Sequence, residues 1–399
     1  MPNHLLSVIP GDERVQDQGT IRLERDECRR EVIKVIGVGG GGNNALNHII
    51  RSGVQGVDYI AANTDLGSLD QSSSDWKVVL GAKLTRGLGA GACPEVGRDA
   101  ALESREEIRQ ALKGSDMVYL TAGMGGGTGT GALPVIAQMA KEMGILSVAV
   151  VTRPFGFEGK KRCRQAQEGI DQLRESVDAL IVVPNDKLLE MADRNMPLQD
   201  SFRLADDVLR QAVQGVTDLV VRPGLVNVDF ADLRTVMSNA GAAVMGIGVG
   251  KGENRAKEAV QKALESPLME TPMRRAKGVL LNVTGGMDLG IHEVYEAAEL
   301  LREHLDEDAN FVWGYVPDAA MEGSVQMVVI ATGFEPGTSP ARRERETPGL
   351  HLQSASARGP KAPERPEAEA PREGAEEDGL FLQTPTTGLD TPSVWRRRE

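Results

Sequence analysis

The chain has 399 residues, a formal net charge of −13, and 40% hydrophobic beside 26% charged residues. That length holds two or three domains with a sizeable core, and the acidic balance argues against broad nucleic-acid binding. No apolar run reaches bilayer-spanning length, and the first residues lack the basic, apolar, small-residue order of a secretory leader. Three scattered cysteines, Cys28, Cys93 and Cys163, indicate neither a disulfide framework nor a CxxC metal site, so a reducing cytoplasm is the expected compartment.

Residues 1–30 are polar and read as a flexible tail. Ordered structure is expected to begin with a strand at 31–38, running through Gly39-Gly40-Gly41-Gly42-Asn43-Asn44 into a helix at Ala45–Ile50. Gly37, Gly39 and Gly42 satisfy GxGxxG between a strand and a helix, the context of a dinucleotide fingerprint. The next strand, Val57–Ala62, ends in Asn63-Thr64-Asp65, near the spacing of a ribose-binding acid. On this motif alone, a nicotinamide- or flavin-binding oxidoreductase is a rival reading. Lys83 to Ala92 is too glycine-rich for an element interior and reads either as a plain surface loop or as a flap over a ligand. Pro94 then opens a charged helix to about Leu112.

The most informative stretch runs from Gly123 to Gly131, where Gly125, Gly126, Gly127 and Gly129 alternate with Thr128 and Thr130. Met117–Ala122 before it reads as a buried parallel strand, and Ala132–Lys141 after it has helical spacing. Glycine lets backbone N–H groups approach a ligand closely. The helix that follows offers free N–H groups and a partial positive charge, and the two hydroxyls can donate further bonds. A tight turn needs one or two glycines, not six in nine residues. Strand, Gly/Thr loop and helix together form a phosphate cradle. Two such loops on separate strands suit a nucleoside triphosphate gripped from two sides. No Gly-x-x-x-x-Gly-Lys-Ser/Thr sequence occurs, so a Walker-type site is excluded.

Leu146–Val151 is the next buried strand, and the segment after it sets Glu158 and Arg162 four apart near a helix start, a spacing that a surface ion pair would also give. Ala179–Val183 follows, stopped by Pro184-Asn185-Asp186. Alternating strands and helices over 31–190 predict a doubly wound, mostly parallel α/β sheet with helices on both faces. Ser201 to about Val221 is apolar on more than half its circumference and is expected to be a central helix. At its start Phe202 is placed to stack on a base. Asp206 or Asp207 can accept from the ring N–H and amine of guanine and reject adenine; a core phenylalanine and a dipole-facing acidic pair explain them equally well. Asp229 and Asp232 share one face of a further helix start, where capping is sufficient for one of them; two acids there also suit polarising a water or holding a cation.

From about 240 to 333 the pattern changes to strands at Ala242–Val249, Gly278–Thr284, Phe311–Tyr315 and Val325–Ala331, with helices at 253–265 and 291–304. This predicts a second, smaller α/β domain with a four-stranded sheet and no catalytic constellation. The Pro/Glu/Arg-rich residues after it are expected to be a disordered linker, before a tail that regains apolar and basic residues.

Taken together these strings resemble the tubulin/FtsZ family of bacterial cell-division GTPases. They are GGGTGTG at 125–131, GVGGGGNNA at 37–45, NTD at 63–65, TRPFGFEGKKR at 152–162, PNDKL at 184–188 and RPGLVNVDFADLRTVMS at 222–238. The resemblance implies a GTP/GDP site made by Gly40, Gly41, Gly42, Asn43 and Asn44, by Gly126, Gly127, Thr128, Gly129 and Thr130, and by Glu158, Arg162 and Asp206. Asn185, Phe202 and Asp207 are neighbours in it. It implies Mg²⁺ on the phosphates, and a head-to-tail homopolymer in which Asn227, Asp229 and Asp232 act on the GTP of the adjacent subunit. It further implies assembly-stimulated hydrolysis in a cytoplasmic septal ring. The implied domains are a tail (1–30), a GTP-binding domain (31–200), a connecting helix (201–223), a C-terminal α/β domain (224–333), a linker (334–386) and a peptide (387–399). That peptide resembles the family's adaptor-binding tail, so residues 388–398 are expected to bind membrane-tethering division adaptors, with any direct membrane contact weak. Thr391, Val394 and Trp395 depart from the tail's usual side chains, Cys93 stands where the family usually has Asn, and Asp206-Asp207 replaces a more common Asp/Asn pair. A non-hydrolysing scaffold of the same fold is a further alternative.

Overall fold

Side-chain alternation on the strand Met117–Gly123 fixes the architecture of the first half. Met117 and Tyr119 join one apolar cluster, while Val118, Leu120 and Ala122 join another, so the strand is covered on both faces. The computed structural model describes residues 31–333 apart from 192–194, 223, 225, 270–272, 274 and 275. The expected tail (1–30), linker (334–386) and peptide (387–399) lie outside the described residues.

Among the described residues the strands are β1 (Ile33–Val38), β2 (Val57–Asn63), β3 (Trp76–Val79), β4 (Met117–Gly123), β5 (Leu146–Arg153), β6 (Ala179–Pro184), β7 (Gly241–Lys251), β8 (Ala276–Gly285), β9 (Leu305–Pro317) and β10 (Ser324–Thr332). They form one sheet in the order β3-β2-β1-β4-β5-β6-β7-β10-β8-β9. Neighbours are parallel throughout except for the two pairs made by β10. The four strands expected as a separate sheet thus continue the first six, joined by a short parallel pairing from Ala179–Gly241 to Ile181–Ala243.

The helix Leu198–Val221 lies across this junction. Its Val208, Leu209, Ala212, Val213, Val216 and Leu219 share a cluster with Val35, Tyr119, Val148 and Ile181 of the first strands and with Leu280, Val328 and Ile330 of the last. Its apolar character on most sides follows from being packed from both halves. Further details differ from the sequence reading. The charged helix after Pro94 is two helices, Pro94–Glu103 and Arg105–Leu112. The buried Ser104 between them accepts from Gly81 N–H and donates to Val79 carbonyl. Strand β3 went unread because it is a four-residue edge strand with Trp76 and Lys77 exposed.

In the last four strands the helix Arg255–Leu264 lies directly on β7. Gly246, Gly248 and Gly250 face it, and a Cβ on each would overlap the carbonyl oxygen of Ala263, Ala259 or Arg255. Period two on the strand meets period four on the helix, and glycine is what allows the backbones to touch. Gly248→Ala is expected to cost about 1–3 kcal/mol through overpacking, read as a lower thermal unfolding midpoint. An unchanged midpoint would show that this helix lifts away freely.

Candidate functional site

Parallel strands put all their carboxyl ends along one edge. Register aligns Val38 with Ala62 and Ala122, Gly123 with Thr152, and Arg153 with Pro184, so the loops after β1, β4, β5 and β6 open together. The chain leaves β1 toward β2 and β3 but leaves β4 toward β5 and β6. The crevice of such a sheet lies at that reversal, between the loops after β1 and β4. Both glycine-rich loops fall there.

The helix Gly39–Arg51 starts at the first glycine, earlier than expected, because Gly39 takes the left-handed φ of +72° that turns the chain straight from strand into helix. A Cβ on Gly39 would sit 2.9 Å from Gly129 N, so the two loops are in contact. The second helix, Thr128–Glu142, starts after Gly127. Neither helix start has a side-chain cap or an acidic residue in its first turn. Their free N–H groups and dipoles converge on one crevice, an arrangement suited to an anion. A Cβ on Gly40 or Gly126 would meet nothing within 4 Å, so both face open space. The loops are braced from below: Thr64 Oγ1 and Thr128 Oγ1 lie 2.6 Å apart, and Thr130 is buried with its hydroxyl accepting from Gly125 N–H at 2.8 Å. Thr130 therefore supports the loop. The glycine-rich segment 83–92 is not wholly a loop, since Ala82–Thr85 is a short helix, and its end lies against the second glycine loop: a Cβ on Gly127 would sit 2.8 Å from Ala90 Cβ and 2.9 Å from Cys93 N.

Around this crevice stand buried amides with unpartnered atoms. Asn43 is 1% exposed with both amide atoms unpartnered, and Asn63 Nδ2 and Asn185 Oδ1 are also unpartnered among the described residues. Such groups are costly unless a ligand completes them. Glu158 and Arg162 form an ion pair at 3.0 Å beside Gly125, and Glu158 also accepts from Phe155 N–H. Phe155 stacks on Phe157 and meets Phe202 edge-on at 5.4 Å, leaving the Phe202 ring half-exposed. Asn44 is exposed at the rim.

The structure separates the two adjacent acids. Burial raises the pKa of Asp207, but hydrogen bonds from Arg210 and Gln211, the Arg210 charge and His48 outweigh it and hold the carboxyl below the usual range. Asp206 makes no hydrogen bond or ion pair with a described residue, and burial pushes its carboxyl up to about 7. Asp206 is thus the uncommitted carboxyl of the pair. Asp65, the acid a dinucleotide reading requires, caps the helix Leu66–Asp70 by accepting from Ser68 N–H. Sequence reasoning missed Thr64 as a brace and Asp186, which accepts from Gly156 N–H at 2.8 Å. Neither has a local signal, because both depend on loops brought together only by the sheet.

Asn227, Asp229 and Asp232 are elsewhere. Asp229 caps the helix Phe230–Met237 by accepting from Asp232 N–H at 2.8 Å, Asn227 closes its own loop on Gly224 N–H, and all three are exposed. Gly56, just before the amino end of β2, lies against Val221 at the end of the long helix. Asn239 N–H and Gly241 N–H reach Asp178, just before the amino end of β6. The acids therefore sit by the opposite edge of the sheet from the glycine loops.

Two family models match the sequence: Tubulin/FtsZ family, GTPase domain, over residues 32–193, and FtsZ family, C-terminal domain, over residues 241–335. The structure of an FtsZ dimer from M. jannaschii is 46% identical, covering 76% of this chain and 89% of its own, with a TM-score of 0.73. The chain belongs to the FtsZ family. A mutant of M. jannaschii FtsZ matches at 45% identity over 76% of this chain and 91% of its own, with the same TM-score of 0.73. CetZ2 from Haloferax volcanii, a GTPγS-bound protofilament, shares the fold at 19% identity and a TM-score of 0.64, covering 77% of this chain and 95% of its own. As an FtsZ-family protein the chain carries a GTP/GDP-binding GTPase domain of the tubulin-like type, in a family of cell-division, filament-forming proteins. The dinucleotide oxidoreductase reading ends here. Among the described residues, no helix is long and apolar enough to cross a membrane.

Asp206 generates a test in the nucleotide-free protein. Its folded pKa lies above the unfolded value, so between about pH 4 and 7 the folded state binds the extra proton and stability falls as pH rises. Asp206→Asn should remove that slope, at most about 1.4 kcal/mol per pH unit. Thermal unfolding of both proteins from pH 5 to 8 checks this; parallel curves would show that the carboxyl is not held neutral.

Proposed function

We propose that the chain is an FtsZ-type GTPase that assembles head to tail, each active site being completed by the acids of the next subunit. The observation that carries this is the separation just described. From Phe202 to Val221 the helix rises about 28 Å at ~1.5 Å per residue, with the crevice at its start and the acid loop beyond its end. One molecule has the grip and the acids but not in the same place. A heterologous contact that sets one crevice against the next acid loop unites them, and because it does not close on itself it repeats into a filament.

In that site the N–H groups at Gly40–Asn44 and Gly126–Gly129 bind the phosphates, and Arg162 adds a positive charge held by Glu158. Phe202 covers one face of the base, and Asp206, charged when it accepts from the ring N–H and amine, selects guanine over adenine. Asn43 and Asn185 complete their unpartnered amides on base or sugar. Asp229 and Asp232 of the next subunit orient a water toward the γ-phosphate and take its proton as GDP and phosphate separate. No three acidic, histidine or cysteine side chains converge among the described residues. The donor set therefore fits a Mg²⁺ held mainly by phosphate oxygens and water, with Thr64 and Thr128 hydroxyls nearby. Such an ion, when bound, neutralises charge on the β- and γ-phosphate oxygens. The septal ring, cytoplasmic location and recruitment by adaptors through residues 388–398 rest on family membership and sequence.

Turnover per molecule should rise with protein concentration, and Asp232→Ala should keep its GTP affinity while losing about a hundredfold or more in turnover. Phosphate release beside light scattering, across a protein titration with GTP, checks both. Filaments that persist with GTP intact would favour the non-hydrolysing scaffold instead.

A further inference from the structure

One face of the long helix carries an unbroken side-chain ladder between its two functional ends. His48 Nε2 lies 3.4 Å from Asp207 Oδ1, which also accepts from Arg210 Nε at 2.7 Å. Arg210 donates to Gln214, Gln214 Nε2 donates to Asp218 Oδ2 at 3.1 Å, and Arg222 Nε is ion-paired with Asp218 Oδ1 at 3.0 Å. From Asp207 to Arg222 every step is three or four residues, so the ladder follows one stripe of the long helix, and His48 joins it from the helix Gly39–Arg51. Across a narrow cleft, Gln326 meets Gln211 and Asn282 Nδ2 donates to Gly215 carbonyl at 2.6 Å, tying the same face to β10 and β8.

The last rung stands out. Asp218 is 4% exposed and lines the same cleft as Arg210, Gln214, Arg222, Asn282 and Gln326. Its partner Arg222 is the residue at which the helix stops and the loop toward Asp229 and Asp232 begins. Farther along, among the described residues, Val228 is buried in the core with its N–H 3.4 Å from Leu219 carbonyl, and Val226 bridges Tyr315. Arg222 is part-exposed, so it has room to swing into solvent if its partner is lost.

We propose that Asp218 is a positioning residue for hydrolysis: by holding Arg222 it sets the direction in which the acid loop leaves the helix, and so the aim of Asp229 and Asp232 on the neighbouring subunit's nucleotide. The inference rests on the shared-site reading above. A buried acid at this place stabilises little by itself, because desolvation offsets its attraction to Arg222, which is consistent with a geometric role. Burial raises its carboxyl above the usual range while the Arg222 charge opposes that rise.

The test uses the full chain with Asp218→Asn, which keeps the shape and an acceptor for Gln214, and with Arg222→Lys, which keeps the charge but not the Nε contact. GTP affinity is measured on dilute protein, filament mass by light scattering, and phosphate release per polymerised subunit at saturating GTP. Affinity, KM and filament mass should stay within about twofold, while kcat per polymerised subunit falls about tenfold in Asp218→Asn and by less in Arg222→Lys. An unchanged kcat, or a loss that follows weakened GTP affinity, would overturn the positioning role. A wild-type rate per molecule independent of protein concentration would instead overturn the shared-site reading, and this inference with it.

Discussion

The structure depends on a rigid distance. An α-helix of 24 residues, Leu198–Val221, is wedged between two parts of one sheet by apolar contacts on most of its sides. It cannot bend to bring its ends together, because packing from both halves over-determines its axis. Parallel strands place the glycine loops at their carboxyl ends, and the helix delivers the chain back to the amino ends before the acid loop is made. Proximity of water, acid and phosphate is what catalysis of this type requires. Within one chain that proximity is forbidden by length, and in the proposed reading a second copy supplies it.

The use of acids follows the same division. Two short helices, Leu66–Asp70 and Phe230–Met237, are capped by a carboxylate, that of Asp65 or Asp229. The two helices that start at the glycine loops are not, and no acid stands in their first turn. Leaving those N–H groups and dipoles unanswered costs stability in the empty protein. The buried, unpartnered amides of Asn43 and Asn185 and the uncommitted carboxyl of Asp206 add to that cost. In the proposed reading, a ligand with an anionic end and a hydrogen-bonding ring would recover that cost.

Much of this was legible in the sequence, and for a physical reason. The Gly/Thr loops need unusual backbone geometry, so their composition is extreme over a short window. The strands β1, β4, β5 and β6 are buried on both faces and read as continuous apolar runs. What stayed hidden was set by contacts distant in sequence. Ser104 breaks a helix by bonding Gly81 and Val79, partners more than twenty residues away. The choice between Asp206 and Asp207 is made by His48 on another helix and by Arg210 and Gln211. The junction of the two sheet regions rests on three residue pairs between β6 and β7, too few to leave a pattern. Strand β9 extends six residues earlier than expected because Leu305–Asn310 is polar and part-exposed, so its period is weak.

The central claim is that grip and acids act from different molecules, and mixing two inactive variants tests it most directly. One partner, Asp232→Ala, keeps the crevice but lacks an acid; the other carries Asn43→Ala with Asp206→Ala, keeping the acids but losing the grip. Each alone should release little phosphate from GTP, and the mixture should release it steadily as intact crevices meet intact acid loops. A mixture no more active than its parts, with both variants folded and co-assembled, would contradict the account.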